Sequence, residues 1–267
     1  MEKIVVLGTG NATVKNCYNT CFALKKEDEY FLVDAGGGNG ILKQLDTMNI
    51  PLNHIHHLFV SHAHTDHILG VVWLVRMIAT QMLSGKYEGE FHIYTFKELI
   101  ETIQTLCKLT LQQKLISCFD KTIIFHEVND GAQMNILNTT FTFFDIHSTK
   151  AKQFAFTFIN NDKQKIAFVG DEPYNEECFK YVEKADWLLH EAFCLYDERD
   201  IFDPYKKHHS TVKDAAILAE TLNVKHLVLW HTEEKNLSCR KELYTNEAKQ
   251  YFNGMIYVPN DLEIIEL

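Results

Sequence analysis

This chain of 267 residues has little proline and no excess of positive charge. It contains four prolines and no low-complexity or linker-like segment, so we expect one continuous domain over residues 1–267. Its 26 lysines and arginines stand against 36 acidic residues, which gives a formal net charge of −10. An acidic chain has no global positive field to attract nucleic acid, so RNA binding would require a local basic patch.

A long uninterrupted hydrophobic run is also missing. The longest apolar stretch, residues 68–83, is interrupted by Arg76 and Gln81, which favours a buried helix over a bilayer-spanning segment. The first residues lead directly into a strand-like run and glycines, and no signal peptide pattern is visible. The seven cysteines are an odd number, so we expect reduced thiols in a cytoplasmic protein with no membrane partner.

Strand-like and helix-like patterns alternate along the whole chain. Runs such as KIVVLG, YFLVD and IHHLF predict strands in the first half, and the charged segment KKEDE predicts a hairpin turn. Residues 40–48, 68–83 and roughly 96–118 have helical spacing. The second half repeats this style, with strands predicted in TFTFFDIH, QFAFTFIN, KIAFVGD, DWLLHEA and HLVLWH and helices in NEECFKYVEKA and STVKDAAILAETL. The alternation predicts the α/β fold class.

One stretch, VSHAHTDHIL, concentrates side chains that can bind a metal ion. If the preceding strand continues into it, His62 and His64 point to the same side, and Asp66 follows as the chain leaves the strand. Asp66 is also suited to the first turn of a helix, with His67 directly after it. Neutral imidazole and carboxylate are ligands that zinc accepts, so we predict a metal site here. The nearby HIHH run carries no acid, and we interpret it as surface histidines.

The pattern His-x-His-x-Asp-His between an apolar strand and an apolar helix resembles the signature of the metallo-β-lactamase superfamily. The resemblance implies a four-layer αββα sandwich and two metal ions, with further ligands at the ends of later strands. Residues of the right type end three such strand-like runs, at His147, Asp171 and His231. The resemblance assigns one metal to His62, His64 and His147. It assigns the second metal to Asp66, His67 and His231, with Asp171 bridging.

The histidine at position 64 bears on the identity of the metal. The diiron, oxygen-reducing branch of the superfamily has an acid at that position. The resemblance therefore favours two Zn²⁺ ions, with Mn²⁺ as the alternative, over a redox di-iron centre.

Two later segments indicate which branch of the superfamily the chain resembles. LLHEAF and HHSTVKDAAILAETLNVKHLVLWH are similar to segments of ribonuclease Z, the endonuclease that trims the 3′ trailer of precursor tRNA. On the matching positions, Glu191 and His209 would form the acid pair, and Asp66 would orient the nucleophile. Ser210 or Thr211 can cap the helix that follows. The alternative interpretation is an ordinary strand-end carboxylate at Glu191 and a surface residue at His209.

The chain departs from ribonuclease Z in two places. Only 23 residues separate His147 from Asp171, enough for two strands and a turn but not for the long arm that grips tRNA. After His231 the chain reads HTEEKN instead of the usual serine and Arg-Tyr pair. Basic residues that could hold phosphates do lie near the predicted site: Lys150, Lys152, Lys206, Lys207 and His208.

These observations leave the substrate open. The first hypothesis is a phosphodiesterase that acts on RNA, including tRNA, or on a smaller phosphodiester. The second is a thioester or lactone hydrolase on the same metal site, since a fold does not determine a substrate. A third is a binding protein with a vestigial site, against which the complete set of seven ligands argues. The resemblance also implies a homodimer.

Overall fold

The computed structural model describes all residues, 1–267, and the chain divides into two compact units. Unit 1 comprises Met1–Gly8, Tyr18–Asn129 and Leu262–Leu267, and unit 2 comprises Thr9–Cys17 and Asp130–Asp261. Each unit contains one mixed seven-stranded sheet with its own helices. The α/β class is confirmed, and the single domain over residues 1–267 stays a prediction.

The regular elements follow one another without a long unstructured segment. The strands are β1 (Lys3–Gly8), β2 (Cys21–Lys26), β3 (Glu29–Val33), β4 (Ile55–Phe59), β5 (Phe91–Thr95), β6 (Ile123–Glu127), β7 (Gln133–Ile136), β8 (Thr139–Asp145), β9 (Phe154–Ile159), β10 (Lys165–Phe168), β11 (Trp187–Glu191), β12 (His226–Trp230), β13 (Met255–Tyr257) and β14 (Ile264–Glu266). The helices are α1 (Gly40–Thr47), α2 (Thr65–Leu83), α3 (Lys97–Thr110), α4 (Gln113–Ile116), α5 (Phe179–Val182), α6 (Arg199–Phe202), α7 (Val212–Thr221) and α8 (Arg240–Ala248).

The sheet of unit 1 has the order β14-β1-β2-β3-β4-β5-β6. Strands β14, β1, β2 and β3 pair antiparallel, and β3 to β6 pair parallel. The β2–β3 turn lies where KKEDE predicts it, with Glu27 at a positive φ of 54°. Parallel neighbours align their carboxyl ends at one edge of a sheet, so the residues after β3 and those after β4 lie side by side.

Helix α2 packs closely on the loop that follows β3. By length and composition alone it could span a bilayer, but half of its apolar window is buried inside the protein. Its Leu74 and Ile78 are fully buried, as expected for a core helix. A Cβ atom at Gly70 would collide with the carbonyl oxygen of Ala35, and the Gly70 amide donates to the Gly36 carbonyl at 2.8 Å. Glycine at this position therefore allows the helix to start directly against that loop.

The HIHH run differs from its prediction, because His57 is half-buried instead of lying fully on the surface. It belongs to a histidine cluster across the last three strands of the unit 1 sheet, formed by His57 on β4, His92 and Tyr94 on β5, and His126 on β6. The His57 Nδ1 lies 3.0 Å from the Tyr94 hydroxyl, and the His92 Nδ1 lies 2.9 Å from the His126 Nε2. His57 lies opposite His92 on the neighbouring strand, and Tyr94 lies opposite His126. The periodicity of a single strand does not reveal which residues of the next strand lie opposite it.

The sheet of unit 2 has the order β13-β12-β11-β10-β9-β8-β7, with β7 to β10 antiparallel and β10 to β13 parallel. The predicted strands form here, whereas the helix predicted for NEECFKYVEKA is reduced to a 3₁₀ turn and α5. Between His147 and Asp171 the chain makes only β9, a turn and β10. The segments after β10, β11 and β12 share one edge of the sheet, because those three strands are parallel neighbours.

Candidate active site

In unit 1 the candidate site is the loop between β4 and α2, where the four predicted side chains come together. The His62 Nε2 lies 2.8 Å from the His64 Nδ1, and the ring centroids of His62 and His67 lie 4.2 Å apart. The His67 Nε2 lies 3.4 Å from an oxygen of Asp66. His64 occupies the N-cap position of α2 and Asp66 its first turn, as expected for an acidic side chain at a helix start.

Asp34, which sequence reasoning did not assign to the site, orients two of these histidines. Its carboxylate accepts hydrogen bonds from the His67 Nδ1 at 2.8 Å and from the Ser61 hydroxyl at 2.7 Å. The Ser61 hydroxyl in turn can accept from the His62 Nδ1 at 2.9 Å. With the Nδ1 engaged in this way, each ring turns its Nε2 towards another predicted ligand, His62 towards His64 and His67 towards Asp66. A carboxylate behind a histidine in this way is the usual support of a metal ligand.

The signal that could have identified Asp34 is its position at the end of an apolar strand run, the same criterion that selected Asp171. Asp34 follows β3 directly and adopts a positive φ of 56°. A non-glycine residue in this conformation costs free energy, and such residues concentrate at functional sites.

In unit 2, Asp171 and His231 lie beside each other at the ends of β10 and β12. The His231 Nε2 is 3.6 Å from an oxygen of Asp171, both side chains are buried, and the Gln153 amide donates to the other carboxylate oxygen. His231 also has a positive φ, at 57°. Its backbone is held on both sides, because Ala192 donates to the Trp230 carbonyl and Thr232 donates to the Thr9 carbonyl.

The segment HTEEKN, which differs from the ribonuclease Z pattern, also helps to hold the backbone at His231. Thr232 accepts a hydrogen bond at 2.7 Å from Arg240, whose side chain is fully buried and also donates to the Thr9 hydroxyl at 3.0 Å. Glu233 is buried beside the Tyr244 hydroxyl, and burial raises the pKa of its carboxyl. These residues hold the loop after His231. Sequence reasoning missed Arg240 because its partners lie at both ends of unit 2.

Glu191 and His209 are in contact, as the ribonuclease Z resemblance implies. Glu191 ends β11 with no exposed surface, and one of its carboxylate oxygens lies 3.5 Å from the His209 Nδ1. Its other oxygen accepts the backbone amide of Ser210. The His209 ring stacks on Phe193 at 4.7 Å and lies 5.3 Å from the His231 ring.

Of the two candidate caps, Thr211 is the N-cap of α7, in a capping box with Asp214. This cap, two residues after His209, fixes the start of the helix.

His147 lies at the rim of unit 2. It follows β8 by two residues and also has a positive φ of 57°. Its side chain is 39% exposed, and its Nε2 lies 3.7 Å from a carboxylate oxygen of Glu177. The geometry within unit 2 therefore groups Asp171, His231, Glu191 and His209, whereas His147 stands at the edge with a different partner.

Comparisons with known proteins agree with this fold. Ribonuclease Z from Thermococcus sibiricus is 25% identical over 320 aligned residues, which cover 100% of this chain and 97% of that protein. The metallo-beta-lactamase fold protein YhfI from Bacillus subtilis superposes with a TM-score of 0.80 at 19% identity, over 99% of each chain. Human tRNase Z, short form, superposes with a TM-score of 0.76 at 20% identity, over 98% of each chain.

The comparisons define the class: the chain has the metallo-β-lactamase fold and is a metal-dependent hydrolase, as predicted. The resemblance to ribonuclease Z is likewise confirmed. Within that class, the family model described as Anti-Pycsar protein Apyc1 matches residues 2–249, and the chain belongs to that family.

Proposed function

We propose that the protein is a phosphodiesterase that uses two transition-metal ions, zinc in the first place and manganese as the alternative. The resemblance assigns the ligands to His62, His64, Asp66, His67, His147, Asp171 and His231. The donor chemistry supports the assignment, since imidazole nitrogens and carboxylates are the ligands these metals take. The single observation that carries it is the contact of 2.8 Å between the Asp34 carboxylate and the His67 Nδ1, which turns the His67 Nε2 towards Asp66, its predicted co-ligand, at 3.4 Å.

When bound, such ions lower the pKa of a coordinated water and neutralise charge on phosphate oxygens. The side chains of this protein would supply the remaining steps. Asp66 would orient the attacking water through its carboxylate. His209, held at its Nδ1 by Glu191, would donate a proton from its Nε2 to the leaving oxygen. The Ser210 amide on Glu191 keeps that carboxylate in place.

The proposed substrate is a phosphodiester more compact than precursor tRNA. The relative from Thermococcus sibiricus is named for ribonuclease activity. In this chain, however, the interval from His147 to Asp171 holds only β9, a turn and β10, with no arm to grip a large RNA. The net charge of −10 also disfavours a polyanion.

A panel of substrates on the metal-replete protein tests this proposal. The purified protein should contain close to two transition metals per chain by plasma mass spectrometry. It should hydrolyse bis(p-nitrophenyl) phosphate and a nucleoside cyclic phosphate faster than a precursor tRNA, a thioester or a lactone. Finding no metal after metal-replete purification would refute the ligand assignment. If the protein hydrolysed only the thioester or the lactone, the phosphodiesterase proposal would be refuted in favour of the thioester or lactone hydrolase.

The proposal includes a cytoplasmic location and a homodimer. All seven cysteines are free thiols, which supports a reducing compartment. The homodimer is implied by the resemblance to ribonuclease Z. Light scattering coupled to size-exclusion chromatography measures it directly, and a mass near the chain's own 31.0 kDa would contradict it.

A further inference from the structure

Five basic residues flank the candidate site in sequence, and the structure gives most of them other partners. Lys206 pairs with Asp203 at 3.1 Å, the Lys207 ammonium lies over the Phe193 ring, and the Lys152 ammonium lies over the Phe154 ring. The His208 Nδ1 lies 2.7 Å from the Thr149 hydroxyl. Lys150 differs from these four residues, because its Nζ lies 3.4 Å from the Nε2 of His209.

The loop that carries Lys150 is anchored by a buried carboxylate. Glu172 is 5% exposed and accepts the Ser148 hydroxyl at 2.6 Å. The Ser148 hydroxyl oxygen also accepts the backbone amides of Lys150 and Ala151, each at 3.2 Å. The loop therefore has a defined turn, and Glu172 is adjacent in sequence to the candidate ligand Asp171.

The ring of His209 connects Lys150 to the proposed reaction. Its Nδ1 faces Glu191 and its Nε2 faces the Lys150 ammonium. A leaving oxygen placed to receive a proton from that Nε2 belongs to the same phosphorus as the non-bridging oxygens. An ammonium 3.4 Å from the Nε2 is within reach of one of those oxygens. Phosphate oxygens are also better acceptors for an ammonium than an imidazole nitrogen, because they carry negative charge.

We propose that Lys150 binds a non-bridging oxygen of the substrate phosphate, and that the Ser148–Glu172 contact positions it. The inference rests on the proposed function and narrows it, because a fixed ammonium selects an anionic phosphodiester over a neutral thioester or lactone. Lys150 is then a substrate-binding residue, whereas Glu172 is a positioning residue.

Four variants test the role of Lys150 on bis(p-nitrophenyl) phosphate. K150M keeps the aliphatic stem and removes the charge, and K150R keeps the charge. K150M should raise KM about tenfold, the order of a charge-assisted hydrogen bond, with a smaller change in kcat, and K150R should recover most of the loss. E172Q should raise KM in the same direction by a smaller factor. K152M is the matched control, an exposed lysine two residues away, and should leave KM unchanged.

A second readout separates charge from structure. Added salt should raise the KM of the wild type more steeply than that of K150M, since the variant lacks the screened charge. Inorganic phosphate should inhibit competitively, with a Ki about tenfold higher for K150M. Equal KM, salt dependence and Ki in K150M and the wild type would overturn the role of Lys150 while the proposed function stands. A wild type that neither cleaves the phosphodiester nor binds inorganic phosphate would overturn both.

Discussion

The histidine cluster of unit 1 should make stability depend on pH through His57. Burial lowers the pKa of His57 to about 3, with repulsion from His92, His56 and His126 adding to it. Burial also lowers the pKa values of His92 and His126. The perturbation is His57→Gln, because an amide can keep the hydrogen bond to the Tyr94 hydroxyl without taking up a proton.

The sign follows from the direction of the shift. A histidine with a lowered pKa in the folded state stays neutral there, while the unfolded chain takes up a proton below about pH 6.5. Its contribution to stability is fully present above pH 6.5 and is lost as the pH falls from there towards 3. At pH 5 the gap of about 1.5 units corresponds to about 2 kcal/mol, and at pH 8 to nearly nothing.

Urea unfolding at pH 8 and at pH 5 measures this effect. The free energy of unfolding of His57→Gln, taken relative to that of the wild type, should be about 2 kcal/mol higher at pH 5 than at pH 8, because only the wild type loses stability on acidification. Phe125→Leu is the control, because it removes an edge-to-face contact with Phe119, in the turn before β6, without removing a titrating group. Its effect should be the same at both pH values. An equally pH-independent effect for His57→Gln would refute the reasoning.

Three further predictions concern the site. His209→Ala should retain both metals and lose about 10²- to 10⁴-fold in kcat on a phosphodiester, as for removal of a general acid; unchanged turnover would remove the Glu191–His209 argument. Asp34→Asn should weaken metal affinity about 10- to 100-fold in a chelator competition. Substitution of the exposed Asp28 by asparagine is the control and should leave metal affinity unchanged. An unaltered affinity in Asp34→Asn would contradict the role of Asp34 in orienting the histidines. Thr211→Ala should lower the free energy of unfolding by about 1 kcal/mol, and Thr211→Ser should restore it; an unchanged urea midpoint in the alanine variant would argue against the cap.

Sequence reasoning located the site residues that depend on local order. The metal-binding loop follows a predictable strand and starts a predictable helix, so the closeness of His62, His64, Asp66 and His67 follows from their spacing. The contact of Glu191 with His209 required the resemblance, because 17 residues lie between them in the chain. The partial burial of His57 was not predicted, since it depends on which strands lie next to β4.

The sequence by itself determined the alternation of strands and helices, the α/β class and the metal donors at strand ends, because side-chain periodicity and loop spacing are local properties. The tertiary structure alone decided which distant residues support those donors. Asp34 reaches His67 because β3 and β4 are parallel neighbours, Arg240 reaches both Thr9 and Thr232, and Lys150 reaches His209 through a turn held by Glu172. Such contacts depend on strand order and on burial, which no single segment of the chain specifies.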